Sequence, residues 1–167
     1  MSIIVSAINL QYTQHMENEL ASERLAAWEA LIRTVGALVK TFDSEMEKSF
    51  GLPLTWYDVL IQLSEAPEGR LRMQALADKV VLSRSGLTRL VDRMEGAELV
   101  RREHSTEDRR GYYAVLTEEG RQVFLRAQPI HHRDIQEHFA RHLSDADVRA
   151  LIRIIGKVSQ TIHRPTD

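Results

Sequence analysis

The chain has 167 residues, 43% of them hydrophobic and 28% charged, with no cysteine. This is the balance of a globular protein with one sizeable core, and it excludes a disordered chain, disulfides, thiol redox sensing and cysteine-ligated zinc. The net charge is −2, but ten basic and seven acidic residues between Arg70 and Arg110 make a local +3, with twelve basic against seventeen acidic elsewhere, so the positive field sits in the middle.

No apolar run approaches the roughly 20 residues of a spanning helix. The opening MSIIVSAINL lacks the basic flank and cleavage site of a secretory signal, so a cytoplasmic location and a single domain over 1–167 are expected.

Leu25, Trp28, Ile32, Val35, Val39, Phe42 and Met46 recur in steps of three and four, which predicts a long first helix over 22–49. Gly51 and Pro53 stop it. Thr55, with Asp58 three residues on, reads as the start of a second helix over 56–64. After the turn APEGR, a short helix opening at Leu71 carries Leu76, Ala77 and Val80.

Ser83 is placed to cap a further helix with Leu87, Leu90, Val91 and Met94 along one face. Its other face carries Ser85, Arg89 and Asp92, flanked by Thr88 and Arg93. Two strands, 99–103 and 112–116, then flank the polar segment HSTEDRRG and predict a hairpin with a charged tip.

Thr117 caps the next helix, which Pro129 is expected to end or kink. Ser144 and Asp147 open the last, whose Val148, Leu151, Ile155, Val158 and Ile162 again alternate steps of three and four. The seams of the first and last helices exceed what the central unit needs. They pack either within one chain or, the favoured reading, against a second subunit, since most soluble oligomers are two-fold dimers.

Two helices joined by a tight turn, the second bearing hydroxyls and arginines outward, suit a duplex major groove, which admits one helix. Arg89 and Arg93 lie four apart, and arginine grips guanine or phosphate with a two-pronged fork. A hairpin tipped by Glu107, Asp108, Arg109 and Arg110 is placed like a wing over the neighbouring minor groove, whose negative potential attracts arginine. Arg101 and Arg102 on its first strand are candidate phosphate contacts. One of these arginines is expected to pair with a neighbouring acid instead: Arg110 with Asp108, or a wing arginine with Asp92.

The segments LADKVVLSRSGLTRLVDRME and LVRREHSTEDRRGYYAVLTEEG resemble the DNA-binding core of the MarR family of bacterial regulators. The wing signature of that family falls on Asp108, Arg110, Ala114 and Thr117, and the close resemblance covers about 55–121. It implies a mainly α (α+β) fold, a winged helix-turn-helix lobe over 55–116 with dimerisation helices at 22–49 and 117–163, acting as a homodimer on double-stranded DNA without a cofactor or enzymatic activity. Ser83, Arg84, Ser85, Thr88 and Arg89 are then base or phosphate readers, with Arg93 near the backbone and Arg109 and Arg110 in the wing. Two departures stand out: Arg84 occupies a position often held by proline, and Glu98 one often held by glycine. Glycine tolerates positive φ there, so Glu98 is expected to strain the turn unless Gly96 becomes the helix stop.

The resemblance also implies a response to small anionic aromatic compounds, for which Trp28, Trp56, Tyr57 and Asp58 are candidate ligand-binding residues; for Trp28, on the apolar seam, packing is the favoured role. His131, His138 and His142 share a helical face near Asp134 and Glu137. No second ligand motif accompanies them, so a half-buried fringe is favoured over a metal site. The rival to DNA binding is a winged-helix protein-interaction module. An enzyme is disfavoured, because no phosphate loop, nucleophile elbow or metal motif is found.

Overall fold

The structure, a computed structural model, describes residues 22–80, 84–105 and 111–162. Ser83 and the wing-tip residues Glu107, Asp108, Arg109 and Arg110 lie outside these. In chain order the elements are α1 (Ser22–Phe50), α2 (Leu54–Ser64), β1 (Arg70–Arg72), α3 (Met73–Lys79), α4 (Arg84–Gly96), β2 (Val100–His104), β3 (Tyr112–Leu116), α5 (Glu118–His138) and α6 (Asp145–Ile162). Single 3-10 turns lie at Pro67–Gly69 and Ala140–His142. The chain divides into two units, Met1–Thr41 and Phe42–Asp167.

In the second unit the core gathers one face of each short helix. Leu60 and Leu63 of α2, Leu76 of α3, and Leu87, Leu90, Val91 and Met94 of α4 are buried together with Val100 and Ala114 of the hairpin. Each such side chain removed from water contributes about 1.5–3 kcal/mol, which selects this face of α4 as the inner one. A three-stranded antiparallel sheet in the order β1-β3-β2 closes the lobe, with Arg72 opposite Tyr113 and Arg102 opposite Ala114.

The helix ends show which local expectations hold. Gly51, at φ +68, closes α1 by donating its N–H to the Glu47 carbonyl at 2.8 Å, the left-handed stop that glycine adopts freely. Thr55 is not the cap of α2. The helix begins at Leu54 behind Pro53, and the Leu54 N–H donates to Asp43 Oδ1 at 2.9 Å, so a side chain from α1 satisfies the orphan donor.

The expected helix at Leu71 starts instead at Met73, because Arg70–Arg72 is a strand paired with β3. A three-residue strand made by a partner forty residues away leaves no periodicity of its own.

At the end of α4 the Glu98 N–H donates to the Glu95 carbonyl and the Leu99 N–H to the Met94 carbonyl, both at 3.0 Å. This is a Schellman motif, and its left-handed residue is Glu98 at φ 61. Gly96 stays within the helix, so Glu98 carries the strain expected of it.

Thr117 caps α5 by accepting the Gly120 N–H at 2.9 Å. Gly120 is required for another reason: a Cβ there would lie 2.0 Å from the Leu99 carbonyl oxygen. Pro129 neither ends α5 nor limits its length, since the helix runs to His138. Pro129 and Leu125 are exposed, where water can solvate the carbonyl that loses its donor. Ser144 and Asp147 form a reciprocal box at the start of α6: the Ser144 N–H donates to Asp147 Oδ2 at 3.0 Å and the Asp147 N–H to Ser144 Oγ at 3.3 Å. The Ser144 hydroxyl, which donates to Asp147 Oδ2 at 2.6 Å, and then the Ser144 N–H hold the Asp147 carboxyl below its usual pKa.

Each of the two expected seams is exposed over much of its length, although Met46 is buried and Phe42 and Leu151 are half-buried. In α1, Leu25, Trp28, Ile32, Val35 and Val39 are exposed, and in α6 so are Val148, Ile152, Ile154, Ile155 and Val158. Among the described residues no helix is long and apolar enough to cross a membrane. His131 and His138 pack as rings against Phe42, at 5.7 and 6.2 Å between centroids, as the half-buried reading expects. Burial lowers the His131 pKa.

Candidate nucleic-acid interface

Helix α4 separates its two chemistries by face. With Leu87, Leu90, Val91 and Met94 turned inward, the 3.6-residue period leaves Ser85, Thr88, Arg89, Asp92 and Arg93 exposed. Arg89 and Arg93 make no ion pair among the described residues, so their guanidinium forks are uncommitted. Arg84 is the first residue of the helix. Its N-terminal turn leaves backbone N–H groups without intrahelical acceptors, which favours an anion nearby.

The two arginines of β2 are committed. Arg102 Nη1 lies 2.5 Å from Asp92 Oδ1 and 3.1 Å from Glu95 Oε2, and Nη2 donates to the Thr88 carbonyl at 3.1 Å. The Arg102 N–H donates to the other Glu95 oxygen at 2.8 Å. Of the pairings expected from sequence, the one between Asp92 and a wing arginine is therefore present. Its effect is mechanical and electrostatic: it braces the wing strand against α4 and neutralises a carboxylate on the face that carries the free arginines. Arg101 is exposed and pairs with Glu103, which also lies 3.9 Å from Arg70.

Between α4 and the wing runs a cleft of about 600 Å³, bounded by Arg72 and Gln74, by Thr88 and Asp92 of α4, and by Arg102 and Tyr112 of the hairpin. Arg72, Glu95 and Tyr113, which shape this region, were not singled out by the sequence. Their signal was hidden with the strand β1: once Arg70–Arg72 is read as a strand, the register sets Arg72 opposite Tyr113.

The candidate ligand residues do not form one wall on α2. Tyr57 is buried, stacked on Phe124 at 5.7 Å and tilted against His131 at 4.8 Å, and so fills the core. Burial raises its pKa. Trp56 is partly buried against the same core, and Asp58 is partly buried, its pKa raised by desolvation. Trp28 belongs to the first unit and is 59% exposed.

Comparison with known proteins agrees with this geometry. Residues 50–111 match a model of the MarR family. The HTH-type transcriptional regulator YfiV of Bacillus subtilis (strain 168) is 32% identical over 108 residues, 65% of this chain and 66% of that protein. Among solved structures, AbsC of Streptomyces coelicolor, a MarR family transcriptional regulator, is 32% identical, with a TM-score of 0.78 over 86% of this chain and 96% of its own. Sco3205 of the same organism, a MarR family regulator solved in complex with DNA, is 31% identical, with a TM-score of 0.80 over 87% of this chain and 91% of its own. Fold, site and relatives agree: this chain belongs to the MarR family of transcriptional regulators.

Proposed function

We propose that the protein is a homodimer that binds a pseudo-palindromic duplex, and that it represses transcription by occupying its site. Helix α4 lies in the major groove, with Ser83, Arg84, Ser85, Thr88 and Arg89 reading bases or phosphates and Arg93 on the backbone. Arg109 and Arg110 of the wing enter the adjacent minor groove, where a narrow groove concentrates negative potential. Arg101 adds charge at the wing, and Arg102 serves by fixing the wing against α4. The observation that carries this reading is the outer face of α4, where Arg89 and Arg93 are exposed while the opposite face anchors the lobe. A relative solved in complex with DNA supports it.

The exposed apolar faces of α1 and α6 support the dimer, since contiguous apolar surface is ordinarily covered. Two lobes one duplex turn apart, about 34 Å, then meet successive major grooves. A small anionic aromatic effector that prefers another lobe spacing weakens DNA binding by its differential affinity for that state. Trp56 and Asp58 of α2 are its candidate contacts.

The test is duplex binding as a function of salt. A dimer meeting six or more phosphates loses about a thousandfold in affinity between 50 and 200 mM salt, through counterion release. Absence of duplex binding at low salt would contradict the reading and favour a winged helix that binds protein. The chain has two tryptophans, so quenching of their fluorescence by benzoate-like compounds reports the effector; no quenching and no change in DNA affinity would remove that part of the proposal.

A further inference from the structure

Arg72 stands where three parts of the lobe meet. It is the last residue of β1 and the residue immediately before α3, and it lies opposite Tyr113 of β3. Its side chain is partly buried. The guanidinium carbon sits 5.2 Å from the centre of the Tyr113 ring. Nε donates to the Tyr113 hydroxyl at 3.1 Å, and Nη2 approaches Ser105 Oγ at 3.3 Å.

Ser105 is itself buried and donates its N–H to the Gly111 carbonyl at 2.8 Å. These two residues close the described end of the hairpin, its neck. One planar group therefore grips the neck by a hydroxyl, a second hydroxyl and a ring face, a combination that a lysine ammonium cannot reproduce.

We propose that Arg72 is a positioning residue for DNA binding, fastening the neck of the wing to the start of the helix-turn-helix; this rests on the DNA reading above. Besides its pairing with β1 and its buried Val100 and Ala114, the hairpin then has two polar attachments. Arg102 ties β2 to α4 on one side, and Arg72 ties the neck to β1 and α3 on the other. Beyond Tyr113, where β1 ends, only β2 and β3 remain paired, and such a two-stranded end has little core of its own to set its direction. Two polar clamps with fixed geometry hold the two strands of the hairpin in place before DNA arrives, so that less ordering remains to be done on binding.

The experiment is a double-mutant cycle, read as affinity for a duplex that the wild-type protein selects from a random-sequence pool. Arg72→Met lowers affinity about tenfold in the wild-type background and has little effect when Arg109 and Arg110 are already alanine, because coupled residues do not add. Arg72→Lys, which keeps the charge, behaves like Arg72→Met. Tyr113→Phe keeps the ring and the fold and gives a smaller loss, about threefold, by the same coupling. Thermal unfolding of each variant confirms that the lobe remains folded.

Equal losses in both backgrounds, or full rescue by lysine, would mean that Arg72 meets phosphate directly and would overturn the clamp. Unchanged affinity in Arg72→Met would overturn it as well. A wild-type protein that selects no duplex would instead remove the DNA reading, which the other outcomes leave standing.

Discussion

Helices α4 and α6 carry the same kind of apolar stripe, with opposite outcomes. In α4, Leu87, Leu90, Val91 and Met94 are each 2% exposed or less, whereas in α6, Val148, Ile155 and Val158 are between 39% and 54% exposed and Leu151 is half-buried. Periodicity thus identifies a face that has to be covered without saying by what. The α4 stripe finds its cover within the chain, which leaves the opposite, cationic face free to meet an outside partner. The α6 stripe finds little, which fits the second chain proposed above.

The strongest way to break the closed half of this comparison is Gly120→Ala. The added methyl meets the Leu99 carbonyl oxygen and Leu116 Cδ1 where α5 approaches the hairpin, and overpacking of backbone against backbone is expected to cost about 3 kcal/mol, read as a lower urea midpoint. A midpoint like that of the wild type would show that α5 is held more loosely than described.

The open half is tested by placing charge on the exposed stripe. Ile152→Asp with Ile155→Asp is expected to convert the dimer to monomer in sedimentation and to lower duplex affinity about a hundredfold, because two half-sites are no longer linked. The lobe itself should keep its thermal midpoint within a few degrees. A dimer that survives both charges would locate the interface elsewhere.

Arg89→Ala sharpens the cationic face. It is expected to cost about 1–3 kcal/mol of affinity for the selected duplex and to relax one base preference, measured by titration against single-base variants. The smallest effect is a gain: Glu98→Gly removes a side chain from a left-handed residue at φ 61 and is expected to stabilise by about 1 kcal/mol with duplex affinity unchanged.

These residues also show how much the sequence could say. The α4 stripe, the hairpin, the Thr117 cap and the Ser144 box were legible because each depends on neighbours a few positions away. So was the strain at Glu98, since the helix stop demands a particular φ whatever side chain stands there. Strand β1 and the Leu54 cap were not legible, because each is made by a distant group, Tyr113–Val115 in one case and Asp43 in the other.

Of the two effects expected of Pro129, an end to α5 does not occur, because the rule against internal proline concerns a lost hydrogen bond, and an exposed helix face can give that bond to water. At the interface, the exposed arginines of α4 were readable from period alone. The pairing of Arg102 with Asp92 and Glu95, and the grip of Arg72 on Tyr113 and Ser105, needed the strand register.

The central claim is that α4 enters a major groove twice over, once per chain of a dimer. Chemical footprinting of the selected duplex, with the number of bound chains counted by sedimentation, tests it most directly. The account predicts two chains per duplex and two protected major-groove patches centred about 34 Å apart. A single patch with one bound chain, or protection unaltered by Arg89→Ala, would contradict it.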